Sequence, residues 1–249
     1  MSTSLRPALA DLFSNLGEIG YGEVYLNPRK ASAAVPAPAA APVPVVPSPP
    51  APIDEEAAGR IAELAALAGV AEACTRCRLA EGRTKVVFGS GNPTAELMFV
   101  GEGPGADEDR QGLPFVGAAG ELLTRIIQAI EMAREEVYIA NVVKCRPPGN
   151  RDPQPDEVAA CRSYLDRQIA LVRPRVLVAL GKVAAQALLG TGAGTDAPIG
   201  RMRGQWYQVQ GIPTMVTYHP AALLRNQALK RPTWEDMQQV RDFLRSGTF

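Results

Sequence analysis

Histidine is nearly missing from this chain: one imidazole, His219, serves all 249 residues. Net charge is missing too, because 26 lysines and arginines balance 26 aspartates and glutamates, so composition does not announce a nucleic-acid binder and any basic surface must be local. The four cysteines, Cys74, Cys77, Cys145 and Cys161, are too few and too widely spread for a secreted disulfide scaffold. Long apolar runs are also lacking: VLVAL at 176–180 falls far short of a membrane span, and no charged-then-apolar leader opens the sequence. These absences predict a soluble cytoplasmic protein that uses no membrane.

Proline is abundant, but in one place. Residues 31–53 hold eight prolines among alanines and valines, which removes backbone donors and favours extended geometry. Three regions follow: a short segment 1–30, a disordered Pro/Ala-rich linker 31–56, and a domain 57–249. The first carries Leu9, Leu12, Phe13 and Leu16 at helical spacing, which suits an amphipathic helix able to dock a protein partner, although it is too small to fold alone.

From residue 57 onward, apolar strand-like runs alternate with helical patterns. ELMFVGEG, VYIANVV and RVLVALG read as buried strands, WYQVQ and PTMVTYHP as further strands, and helices of 10 to 17 residues lie between. This is the pattern of an α/β protein, a mostly parallel sheet covered on both faces, whose ligand crevice lies beyond the carboxyl ends of the strands. That rule selects the loops GEGPGADEDRQGLPFVG, NVVKCRPPGNRDPQP, the turn after LVALG, and YHPAALLRN.

The first of these loops is a poor phosphate cradle. It matches neither the P-loop nor GxGxxG, and Glu102, Asp107, Glu108 and Asp109 would repel an anion. Carboxylates at a strand end instead suit positioning of water or stabilisation of a developing cation. Phe115, among glycines, can offer a stacking face to a planar ligand. His219 can donate a hydrogen bond to a leaving group, and Leu223, Leu224 and Arg225 beyond it suit insertion into a duplex and a phosphate contact. Basic residues gather at Arg201, Arg203, Arg225, Lys230 and Arg231, and again at Lys144, Arg146 and Arg151. The cysteines, spaced C-x2-C and C-x15-C, suffice for a zinc ion or a 4Fe-4S cluster, and spacing does not separate the two.

Taken together, CTRCRLAEGRTKVVFG, GEGPG-x-x-E-D, PFVG, NVVKCRPPGNR and HPAALLRN resemble the family 4 uracil-DNA glycosylases, the iron-sulfur type, over about 71–243. Ala106 stands where many members carry an acidic residue. The resemblance implies a three-layer α/β/α fold around a central four-stranded parallel sheet, with a 4Fe-4S cluster on Cys74, Cys77, Cys145 and Cys161. It implies a monofunctional enzyme, a monomer, acting on uracil-containing DNA at the start of base excision repair, in use at a prokaryotic nucleoid. Glu102 and Glu108 are expected near the sugar and the attacking water, and His219 at the uracil anion. Gly103, Phe115 and Asn141 are expected to bind the base, and Leu223, Leu224 and Arg225 the DNA. A related branch uses a histidine in a loop after the asparagine to attach covalently to DNA. Here that loop has none, which predicts turnover. The rivals are an iron-sulfur or zinc protein that binds DNA without catalysis, and an electron-transfer protein.

Overall fold

A computed structural model describes residues 54–190 and 197–247. The amphipathic segment 1–30 and the linker through residue 53 lie outside the described residues. The first helix, α1, spans Glu55–Glu72 and so begins inside the stretch read as linker; Glu55 and Glu56 in its first turn favour the positive end of the helix dipole.

Six strands form one sheet: β1 Ser90–Gly91, β2 Leu97–Gly101, β3 Tyr138–Asn141, β4 Val176–Leu180, β5 Trp206–Val209 and β6 Ile212–Thr217, in the order β1-β3-β2-β4-β6-β5. The four central strands pair in parallel, which is the sheet expected, and an antiparallel strand flanks it on each side. On one edge, β5 folds back from β6 through Gln210 and Gly211, both at positive φ, as a tight hairpin requires. On the other edge, β1 has two residues and offers no periodicity to read. A Cβ on Gly91 would lie 1.9 Å from the Val137 carbonyl oxygen, so only glycine fits that pairing.

β2 and β4 are apolar throughout because both of their faces are covered. Met98, Val100, Leu177 and Ala179 point to one side, where α1, α5 (Pro155–Val172) and α6 (Lys182–Leu189) contribute Leu64, Leu165, Ile169 and Ala185. Leu97, Phe99, Val176 and Val178 point to the other, against Leu123 and Ile127 of α4 (Ala118–Ala129) and Met237 and Val240 of α9 (Lys230–Ser246). The result is the three-layer α/β/α arrangement. Among the described residues no helix is long and apolar enough to cross a membrane.

The other helices are short: α2 Leu79–Gly82, α3 Ala106–Gln111, α7 Ile199–Met202 and α8 Pro220–Arg225. Two of them replace stretches read as loops. α3 stands within the acidic loop after β2, where three acids in six residues leave no apolar period. α8 follows His219, with Pro220 at its first position.

Candidate active site at the strand ends

Parallel pairing brings the carboxyl ends of the central strands level, Gly101 opposite Asn141 and Leu180 opposite Thr217. The residues that follow therefore share one crevice. Ladder-like bonds continue past it, from the Val142 amide to the Gly101 carbonyl at 2.9 Å and from the Val143 amide to the Glu102 carbonyl at 3.1 Å. Gly101 keeps the floor clear: a Cβ there would stand 2.4 Å from Asn141 Oδ1 and 2.6 Å from Phe115 Cζ. The Phe115 and His219 ring centroids are 5.5 Å apart. Phe115 and Asn141 thus meet over one glycine, and the His219 ring lies beside that of Phe115. Gly103 packs against Val143, where a Cβ would lie 2.8 Å from Cγ2.

Asn141 is 1% exposed, and its Oδ1 has no hydrogen-bond partner. A buried acceptor left unpaired costs free energy, about 1–3 kcal/mol, and is expected only where something else supplies the donor. The His219 Nδ1 accepts the Ala221 N–H at 3.1 Å and so caps α8. With Nδ1 an acceptor, the neutral ring carries its proton on Nε2. Burial, with Arg225 nearby, lowers the imidazole pKa to about 4, against an opposing pull from Glu108. His219 is therefore a neutral donor at pH 7.

The two glutamates differ. Burial, with Asp152 adding to it, raises the Glu102 carboxyl pKa to about 7, which poises it to take a proton near neutrality. Glu108 uses both oxygens on backbone: Oε1 accepts the Val116 and Gly117 amides at 2.9 and 3.0 Å, and Oε2 the Gly105 amide at 3.2 Å. Asp109 is buried and accepts the Thr84 amide at 2.9 Å.

The two leucines of α8 also differ: Leu223 is 1% exposed and Leu224 is 40% exposed, so Leu224 alone of the pair can reach a duplex. Arg225 is exposed beside it. The basic clusters read from sequence are thinner than expected. Lys144 is buried, and Arg151, Arg203 and Arg231 pair with Glu157, Asp236 and Glu235. Glu157 is fully buried, and the hydrogen bonds from Arg151 lead a set of causes that lowers its carboxyl pKa to about 2.

Cys74 and Cys77 lie between α1 and α2, Cys145 in the loop after β3 and Cys161 in α5; all four line one cavity, with Ala71, Ala80, Ala160, Arg83 and Tyr164 around them. All are free thiols. Burial pushes the Cys145 and Cys161 thiols up in pKa. Arg83 donates to Cys145 Sγ at 3.5 Å and to the Cys74 carbonyl at 2.6 Å, while the Lys144 amide donates to Cys161 Sγ at 3.3 Å. Among the described residues no three His, Cys, Asp or Glu side chains form a group able to hold a metal ion.

Sequence reasoning missed two residues. The Lys144 ammonium, 2% exposed, donates to the Asn141 carbonyl at 2.7 Å and to Gln168; burial lowers its pKa to about 8. In the sequence it reads only as one of a basic cluster. Arg134 donates to the Pro114 and Phe115 carbonyls at 2.7 and 3.0 Å, and a lone arginine in AREE carries no signal of that.

The profile of the Uracil DNA glycosylase superfamily matches residues 88–238. A Type-4 uracil-DNA glycosylase of Sulfurisphaera tokodaii is 46% identical over 174 residues, 68% of this chain and 79% of that protein. One of Thermotoga maritima is 45% identical over 177 residues, 69% of this chain and 90% of that protein. A Type-5 uracil-DNA glycosylase of Pyrobaculum aerophilum is 33% identical over 165 residues, 60% of this chain and 71% of that protein.

Proposed function

Because this chain belongs to the uracil-DNA glycosylase superfamily, we propose that it excises uracil from DNA as a monofunctional glycosylase and so begins base excision repair. The observation that carries this is the buried, unpaired Asn141 Oδ1 set beside the Phe115 ring, which in turn lies against the neutral His219. The base must leave the stack, which costs a few kcal/mol. Leu224 enters the space left in the duplex, and Arg225 meets a backbone phosphate. Phe115 stacks on the flipped ring. Asn141 Oδ1 accepts the uracil N3–H, and its amide donates to O4. Cytosine offers no N3–H and presents an amino group in place of O4, so both contacts fail.

The bond between C1′ and N1 then breaks, and its electron pair leaves with the base. Charge on the uracil anion gathers partly on O2, where the His219 Nε2–H donates to it. A neutral donor suits this step, since it stabilises the anion without having to be charged first. Positive charge develops on the sugar, and a water oxygen bonds to C1′. The Glu102 carboxylate takes the proton that this water loses and later returns it to solvent, and the uracil anion takes up a proton from solvent as it departs. Glu108, whose oxygens are committed to backbone amides, acts through its charge and its hold on residues 105, 116 and 117.

Cys74, Cys77, Cys145 and Cys161 would hold a 4Fe-4S cluster. Four thiols around one cavity are the complement that such a cluster needs. When bound, the cluster supplies a cross-link between the α1–α2 loop, the loop after Asn141 and α5; it takes no part in the steps above.

The test is alkaline strand cleavage of a labelled oligonucleotide with one uracil. Wild type should cut only at uracil, and Glu102→Ala and His219→Ala should each lose on the order of 10²-fold or more. An intact oligonucleotide with cluster-loaded wild type would return the protein to the non-catalytic DNA-binding class.

A further inference from the structure

We propose that Arg134 is a positioning residue for the base-stacking ring: with Glu108 it fixes residues 114–117 in the one backbone conformation that turns Phe115 toward His219. This rests on Phe115 being the stacking face. Phe115 has φ of 53°, in the left-handed region that a bulky L-residue rarely adopts. Its neighbours hold it there. The Arg134 Nη2 donates to the Pro114 and Phe115 carbonyls at 2.7 and 3.0 Å. Its Nη1 donates to Thr124 Oγ1 at 3.1 Å, and that hydroxyl donates in turn to the Gly120 carbonyl at 3.1 Å.

On the next two residues the charge reverses, for Glu108 Oε1 accepts the Val116 and Gly117 amides. Two successive carbonyls therefore meet a cation, and two successive amides meet an anion. Gly120 completes the arrangement, since a Cβ there would lie 1.9 Å from the Phe115 carbonyl oxygen and would displace it. The planar fork of a guanidinium can serve both carbonyls and the hydroxyl together; a lysine ammonium is a point charge without that fixed geometry.

If the ring is misplaced, ground state and transition state lose the same contact, so KM should rise while kcat holds. Steady-state kinetics on the uracil oligonucleotide should give a KM about 10-fold or more higher for Arg134→Met with a smaller change in kcat, and Arg134→Lys should fall between. Hydrogen exchange of the cluster-loaded protein reads the backbone directly. The peptide covering 113–118 should exchange faster in Arg134→Met, while peptides over β2 and β4 keep their wild-type protection. An unchanged KM, or unchanged exchange at 113–118, overturns the proposal. A fall in active fraction or melting temperature at wild-type KM also overturns it, by showing a merely structural arginine. If wild type cuts no uracil, the functional reading fails by itself, and the exchange at 113–118 still decides whether Arg134 holds the segment.

Discussion

A single imidazole suffices here because α8 fixes its proton. The Ala221 amide occupies Nδ1, so Nε2 carries the hydrogen, and burial beside Arg225 keeps the ring neutral down to about pH 4. The Glu102 carboxyl is pushed the opposite way, up to about 7, because burial disfavours its charged form. The two groups predict an unusual pH profile. In the proposed mechanism Glu102 must be ionised, so kcat/KM should fall about tenfold per unit as pH drops below about 7, with no step near 6.5 from His219. Glu102→Gln should be slow and should lose that limb; a limb that persists in Glu102→Gln would assign it to another group. The stability effect of the histidine has the opposite reach. Its folded pKa lies below its unfolded value of 6.5, so the unfolded chain binds the proton more readily, and the contribution is full above 6.5 and lost as pH falls through 4.

At the scale of elements, helix phase decides which of two adjacent leucines faces solvent. Leu223 and Leu224 are alike in HPAALLR, yet α8 turns the first into the core and the second outward. Leu223→Ala should cost about 2–5 kcal/mol in denaturant unfolding as a cavity opens. Leu224→Ala should leave stability within about 0.5 kcal/mol, as surface changes usually do, but lower cleavage of uracil in duplex more than in single-stranded DNA. Equal loss on both substrates would remove Leu224 from the duplex contact. Nothing in the sequence separates these two residues, because a six-residue helix is too short to show a period. The same limit hid α3 and β1. The strands β2 and β4 were plain, since burial on both faces demands continuous apolar runs. The rule that parallel strands deliver loops to one edge then assembled Glu102, Asn141 and His219 from positions far apart in sequence. Partners of charged residues are settled only by tertiary packing, which is why Lys144, Arg151 and Arg203 read as open surface and are in fact buried or paired.

Over the whole molecule, the Asn141 end of β3 and the cysteine cavity are neighbours in sequence. Asn141 is followed by Val142, Val143, Lys144 and Cys145, and the Lys144 side chain returns to the Asn141 carbonyl while its amide reaches Cys161 Sγ. Gln168, which accepts from Lys144, donates to the Phe88 carbonyl and the Tyr138 hydroxyl, so α5 and β3 are tied behind the same point. A cluster on the four thiols would hold this arrangement from outside the crevice. Its loss should therefore act on Asn141 without touching Glu102 or His219. Cys74→Ala, prepared with its iron content measured, should lose the cluster's visible absorbance, melt at lower temperature, and cleave uracil poorly with the Glu102 limb of the pH profile kept. Binding free energy spent on ordering the loops is folding free energy, so stability and activity should fall together. An iron-free protein with full melting temperature and full activity would show that the packing of Lys144 and Gln168 holds Asn141 unaided.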